Sequence, residues 1–167
     1  DPTPSYRLYR LTMGEHSQTG LVAAASLDAY AEERIKRHEL TRPVKEDDRV
    51  RQIDALNAQT GPVLLACRTN PEIEGLLARL TAGPPATDII ADGGVRHELW
   101  PVSEPALIAE LTAAFDRLDA LYIADGHHRC AAAARIAEQR RAANPEHTRQ
   151  ESYNDALSVI FPHHQMR

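Results

Sequence analysis

Apolar and polar positions alternate between two rhythms along this chain, a period of two for strands and of about 3.6 for helices. Tyr6 to Thr12 and Thr19 to Leu27 are apolar stretches separated by the polar residues Gly14 to Gln18, which predicts an antiparallel hairpin. Asp28 is expected to cap a short helix through Glu33. Ile35 to Lys45 keeps neither rhythm and contains Pro43, so it reads as a loop loaded with charge. Glu46 to Thr60 sets Val50, Ile53, Ala55 and Leu56 near one helical face, with Asp47 and Asp48 in a first turn that favours negative charge. Gly61 and Pro62 stop that helix.

Val63 to Cys67 is a compact apolar strand, and Pro71 at a first helical position opens Glu72 to Ala82, with Ile73, Leu76, Leu77 and Leu80 on one face. Gly83-Pro84-Pro85 ends it. Thr87 to Ala91 and Val95 to Val102 flank Asp92-Gly93-Gly94, a hairpin signal because glycine adopts positive φ at little cost. Ser103 is expected to cap a helix over Glu104 to Leu118. Ala120 to Ala124 reads as a strand, and a helix runs from His127 to about Ala143, halted by Asn144 and Pro145. Ala156 to Phe161 is a last core strand. Hairpins mixed with strand–helix units predict an α+β fold with a mixed sheet, in one domain spanning 1–167. A strand close to each end makes the chain read as the central piece of a longer protein.

Composition narrows the function classes. A formal charge of -5, from 24 acidic and 19 basic residues, supplies no broad positive surface for a nucleic-acid backbone. Duplex DNA is therefore not expected as the main partner. No run of eighteen apolar residues and no signal-peptide pattern occurs, which predicts a soluble, cytoplasmic protein without a membrane partner. Cys67 and Cys130 stand far apart in apolar surroundings and read as small buried hydrophobes rather than a disulfide framework.

The densest chemistry lies where the strand ending at Ala124 meets the helix. Asp125-Gly126-His127-His128-Arg129 puts a tight turn, three cation-capable side chains and one carboxylate at a helix N-terminus. Such a terminus has about four N–H groups without partners and roughly half a positive charge, so it attracts anions. Asp125 brings the opposite sign, suited to a metal ion or to a hydroxyl proton. A phosphate-handling site follows. The bland alternative is an Asp-Gly turn capping a helix, with two exposed histidines. Histidines at a positive helix end would lose proton affinity unless a phosphate or Asp125 restored it.

A second charged cluster runs through Lys36-Arg37-His38-Glu39, Thr41-Arg42 and Lys45-Glu46-Asp47-Asp48-Arg49. Alone it reads as a solvated loop and a charged helix start. Long irregular loops within compact domains are more often functional than idle. His163-His164 lacks a spaced third ligand and reads as surface, and Asp92-Gly93-Gly94 opens no helix and is a turn.

Taken together, the stretch from Arg37 to Arg49 and the stretch Ala124 to Arg129 resemble the bacterial family catalogued as domain of unknown function 1015. The Asp-Gly-His-His-Arg element also resembles the nucleotide-binding turn of the ParB/sulfiredoxin-like fold. Free-serine kinases of that fold carry a His-Glu pair upstream of such a turn, matched here by His38-Glu39 and Asp125 to Arg129. The resemblance implies phosphoryl transfer from ATP or ADP to the hydroxyl of free L-serine, giving O-phosphoserine, with Mg²⁺ as cofactor. It implies that Glu39 is the general base and that Asp125 assists it or holds Mg²⁺. Gly126, His127, His128 and Arg129 would cradle the nucleotide phosphates, with His38 and Arg49 as further nucleotide contacts. Sulfiredoxins place a cysteine before the His-Arg pair where this chain has His127, so thiol chemistry is not expected.

Two other readings remain open. A ParB-like nucleotide switch without catalysis needs the phosphate cradle and no base, so Glu39 separates it from a kinase. A metal-dependent phosphohydrolase would need several ligands converging on one ion.

Overall fold

The computed structural model describes residues 5–166. Its strands are β1 (Tyr6–Met13), β2 (His16–Ser26), β3 (Ile35–Lys36), β4 (Val63–Cys67), β5 (Thr87–Ile90), β6 (Arg96–Val102), β7 (Leu121–Asp125) and β8 (Asp155–Pro162). The helices are α1 (Leu27–Ala31), α2 (Pro43–Leu56), α3 (Pro71–Leu80), α4 (Pro105–Asp116) and α5 (His127–Ala143). The strands are hydrogen-bonded in the order β3-β7-β4-β8-β2-β1-β6-β5, a mixed sheet in an α+β chain. Contacts divide the chain into two compact units. One holds the chain up to Ala23, Ala66–Asp119 and the chain from Ile160 on; the other holds Ala24–Leu65 and Ala120–Val159.

In the first unit β1 pairs antiparallel with β2 and with β6, and β6 pairs with β5. The β1–β2 turn is tighter than the expected loop: Met13 pairs with His16, and Gly14 takes φ 59°. Leu8, Leu21, Trp100 and Val102 from the strands bury themselves against Ile73, Leu76 and Leu77 of α3 and Leu111 and Ala114 of α4. Each large side chain so buried is worth about 1.5–3 kcal/mol in transfer free energy. Pro71 stands at the first position of α3, and Asn70 caps it by accepting from the Glu72 and Ile73 amides at 2.9 and 3.3 Å. The expected Ser103 cap does not form. Pro105 starts α4 with Glu104 as N-cap and no side-chain cap bond; the missing N–H of proline at the first helical position leaves one donor fewer to satisfy.

In the second unit the cap of α1 is Ser26, whose hydroxyl accepts from the Asp28 and Ala29 amides, and not Asp28. The Asp28 carboxylate instead pairs with Arg141 at 2.7 Å. The expected loop from Ile35 to Lys45 is replaced at both ends. Ile35 and Lys36 pair parallel with Leu121 and Tyr122, and α2 begins at Pro43, three residues before the predicted start at Glu46. The helix closes at Asn57 in the left-handed region, φ 49°, short of the predicted Thr60.

The apolar face expected of α2 is not used as a core face. None of its residues is buried; Val50 and Ile53 are half-buried, while Ala55 and Leu56 are exposed. Its attachment to α5 is polar: Arg135 reaches Asp47 at 2.8 Å and Glu46 at 3.4 Å, and Arg140 reaches Asn57 at 2.7 Å. By contrast α5 buries Cys130, Ala132, Ala133, Ile136 and Ala137. Small alanines let this helix lie close to its neighbours, and its ends fall at His127 and Ala143 as the sequence predicts.

Candidate functional site

Parallel pairing of β3 with β7 explains how two motifs far apart in sequence come together. Both strands run the same way, with Lys36 opposite Tyr122. Glu39 follows the end of β3 by three residues, and Asp125, three residues after Tyr122, ends β7. The two polar segments therefore emerge at the C-terminal ends of adjacent parallel strands, where α/β crevices form.

Glu39, Arg49 and all five residues from Asp125 to Arg129 line one cavity of about 820 Å³ within the second unit. His38 does not line it. Its ring, on an exposed residue, packs edge-on against His127, centroids 4.5 Å apart. The other walls come from α2 and from the loop Gln59-Thr60-Gly61.

Gly126 is the N-cap of α5 at φ 92°, a conformation open to glycine, and no side chain caps the helix. The first amide bonded back is that of Cys130, to the Gly126 carbonyl at 2.9 Å. The amides of His127, His128 and Arg129 have no backbone or side-chain acceptor among the described residues, and an open helix N-terminus of this kind attracts anions. Arg129 lies over this turn. A Cβ on Gly126 would stand 2.9 Å from its Nε, and one on Gly61 3.1 Å from its Nη1, so the two glycines make the room it occupies. Its guanidinium holds the Asp125 carboxylate at 2.5 Å.

The two histidines behave differently. His127 is buried, 4% exposed, against the exposed pair of the bland reading. Its Nδ1 is 3.8 Å from a Glu39 carboxylate oxygen and its Nε2 has no hydrogen-bond partner among the described residues. Burial, and then the neighbouring His38, push its proton affinity below the ordinary 6.5, while Glu39 and Asp125 oppose them. Loss of proton affinity was expected from the helix end; burial is the larger cause. His128 accepts a hydrogen bond at Nε2 from the Arg42 amide, 3.1 Å away, which requires the tautomer with its proton on Nδ1. It thereby ties the N-cap of α2 to the first turn of α5.

Sequence reasoning assigned no role to Lys45 or Gln52, which share one face of α2 with Arg49 at positions i, i+4 and i+7. That spacing was a usable signal, hidden because the apolar face of the helix was given priority. Within the cavity Asp125 is taken by Arg129 and Asp48 pairs with Arg51 at 3.6 Å. Lys45 and Arg49 have no carboxylate within 4 Å among the described residues; Arg49 donates to Gln52 at 2.8 Å. What is left is two permanent cations and the Glu39 carboxylate.

Magnesium ions are held through one or two carboxylates plus phosphates and water. Asp125 and Glu39 fit that pattern for a metal arriving with a polyphosphate. They do not make a pre-formed cage, since no group of three His, Cys, Asp or Glu among the described residues could hold a metal ion. The convergent ligand set that a phosphohydrolase would need is thus not seen among them. Both cysteines are buried, with thiols pushed up by desolvation to about 11 for Cys67 and about 12 for Cys130. Neither is activated for thiol chemistry.

An α+β protein with a charged cavity, opened between parallel strand ends and a helix N-terminus, is the class that fold and site define. The chain belongs to the family described as protein of unknown function (DUF1015), whose model matches residues 1–167. No curated protein and no solved structure matches it. No helix among the described residues is long and apolar enough to cross a membrane.

Proposed function

We propose that this cavity binds a nucleotide polyphosphate and that the protein transfers a phosphoryl group from ATP or ADP to the hydroxyl of free L-serine. The observation that carries the reading is the meeting of Glu39 with the Asp125–Arg129 turn in one cavity, with Glu39 3.8 Å from His127. Phosphoryl transfer asks a protein mainly for positioning and for stabilisation of spread negative charge. The α5 first-turn amides, Arg129, Lys45 and Arg49 supply the positive side, and Glu39 supplies a base. The choice of serine, and of a ParB/sulfiredoxin-like nucleotide core, rests on the family resemblance of the two motifs.

In this scheme Glu39 takes the hydroxyl proton as the serine oxygen bonds to the terminal phosphorus. The bond to the bridging oxygen breaks, and ADP leaves from ATP, or AMP from ADP. Magnesium would be held by Asp125 together with the phosphates and would offset their charge. Each partner of the Asp125–Arg129 pair carries the charge of the other's expected ligand, phosphate for the arginine and metal for the aspartate. Nucleotide binding is then expected to separate them.

The test incubates the protein with Mg²⁺, labelled ATP or ADP and a panel of hydroxyl amino acids, and looks for phosphoserine. Glu39→Gln should abolish transfer while nucleotide affinity stays within about threefold. Unchanged turnover in that variant removes Glu39 as the base. Nucleotide bound by the wild type with no transfer to any acceptor would favour a switch module without catalysis.

A further inference from the structure

A second cavity, of about 350 Å³, lies in the same unit and shares Ile53 and Gln59 with the first. We infer that it is a binding site for a small aliphatic ammonium compound, the free α-amino acids included, with Asp155 as the residue that receives the ammonium group. This inference is independent of the nucleotide reading.

The cavity combines apolar and polar walls with one carboxylate that has no hydrogen-bond or ion-pair partner among the described residues. Ala24, Ile53, Ala133, Ile136 and Leu157 supply walls that suit a short hydrocarbon body. Asp155 is half-buried, and its carboxylate has no hydrogen bond or ion pair within 4 Å among the described residues. The charged groups that face it are Asp28 and Arg141. Arg141 is one cation against two carboxylates: it holds Asp28 at 2.7 Å through Nη1 and the Asn154 side-chain oxygen at 2.6 Å through Nε, and its Nη2 is buried without a hydrogen-bond partner among the described residues. A half-buried carboxylate left beside another carboxylate is costly unless a cation joins it. Burial, and then Asp28, raise the Asp155 proton affinity, while Arg141 opposes them.

Ligand selectivity follows from which polar groups remain available. The Gln59 amide is engaged at both ends, donating to the Asp155 carbonyl at 2.7 Å and accepting from the Leu157 amide at 2.9 Å. The Tyr153 hydroxyl is engaged by Asn144 and His147, each at 3.1 Å. The guanidinium of Arg140 reaches Asn57 at 2.7 Å and Asp54 at 3.7 Å, and with five N–H donors it keeps capacity for an acceptor at the cavity edge. An ammonium group is therefore the required feature, and a carboxylate on the same small molecule is accommodated.

The test is calorimetric titration of the full chain, without nucleotide, using n-butylamine, L-alanine and butyrate as separate probes. Saturable binding of n-butylamine or L-alanine with none of butyrate is expected, and tighter binding of L-alanine would identify an amino-acid site. Asp155→Asn should weaken the bound probe at least tenfold. Ala58→Leu, at an exposed residue of the cavity wall, should exclude the probes while leaving the fold intact, and it carries the test should Asp155→Asn not fold. Absence of saturable binding by both amines, or equal affinity in Asp155→Asn, overturns the assignment.

Discussion

His127 holds an imidazole in the interior with one ring nitrogen toward Glu39 and the other without a hydrogen-bond partner among the described residues. Its proton affinity is lowered, first by burial. Between that lowered value and the ordinary 6.5, the unfolded chain binds a proton that the folded chain does not. Stability must therefore fall as pH drops below 6.5, and the loss levels off once pH passes the folded value. Urea unfolding at about pH 7.5 and about pH 5.5 measures this. His127→Gln, which cannot charge, should lose less stability between the two than the wild type. An equal loss in both would place the acid sensitivity elsewhere.

At the scale of elements, α2 is the unusual member, because it forms a wall of the cavity without burying a residue. Its contacts with α5 through Arg135 and Arg140 are half-exposed ion pairs and hydrogen bonds, open enough to solvent to be worth about 1 kcal/mol or less each and weakened by salt. Amides of α2 should exchange with solvent about tenfold or more faster than the central amides of α5, and faster still at about 0.5 M salt. Arg135→Ala should speed α2 exchange while global stability changes by about 1 kcal/mol or less. Equal protection of the two helices would show that α2 belongs to the same cooperative unit as the core. The same helix shows why sequence reading was uneven. The limits of β4, α3 and α5 were legible within two residues, because β4 and α3 carry clear apolar rhythms, Pro71 opens α3 and Asn144-Pro145 halts α5. The start of α2 was not, because Thr41-Arg42-Pro43 presents charge and proline but no apolar rhythm, and what closes on it is the distant His128 ring.

At the scale of the whole molecule, what sequence could not show is the pairing that builds the site. A two-residue strand has no period to read, so β3 was hidden inside an expected loop. Its partner lies 86 residues on, Ile35 against Leu121, yet this register sets Glu39 beside the Asp125 turn. The turn itself was legible, since Gly126 sits where a strand rhythm gives way to a helical one. A chain of net charge -5 keeps two cations without a carboxylate partner among the described residues, Lys45 and Arg49, at the cavity that the turn opens into. The account stands on that cavity gripping a polyphosphate at the first turn of α5. Amide chemical shifts recorded while Mg²⁺–ADP or Mg²⁺–ATP is titrated into the protein test it most directly. The largest saturable shifts should fall on Gly126 to Arg129, with smaller ones along the Lys45–Gln52 face of α2. No saturable shift at the α5 first turn, or shifts confined to other parts of the chain, would contradict it.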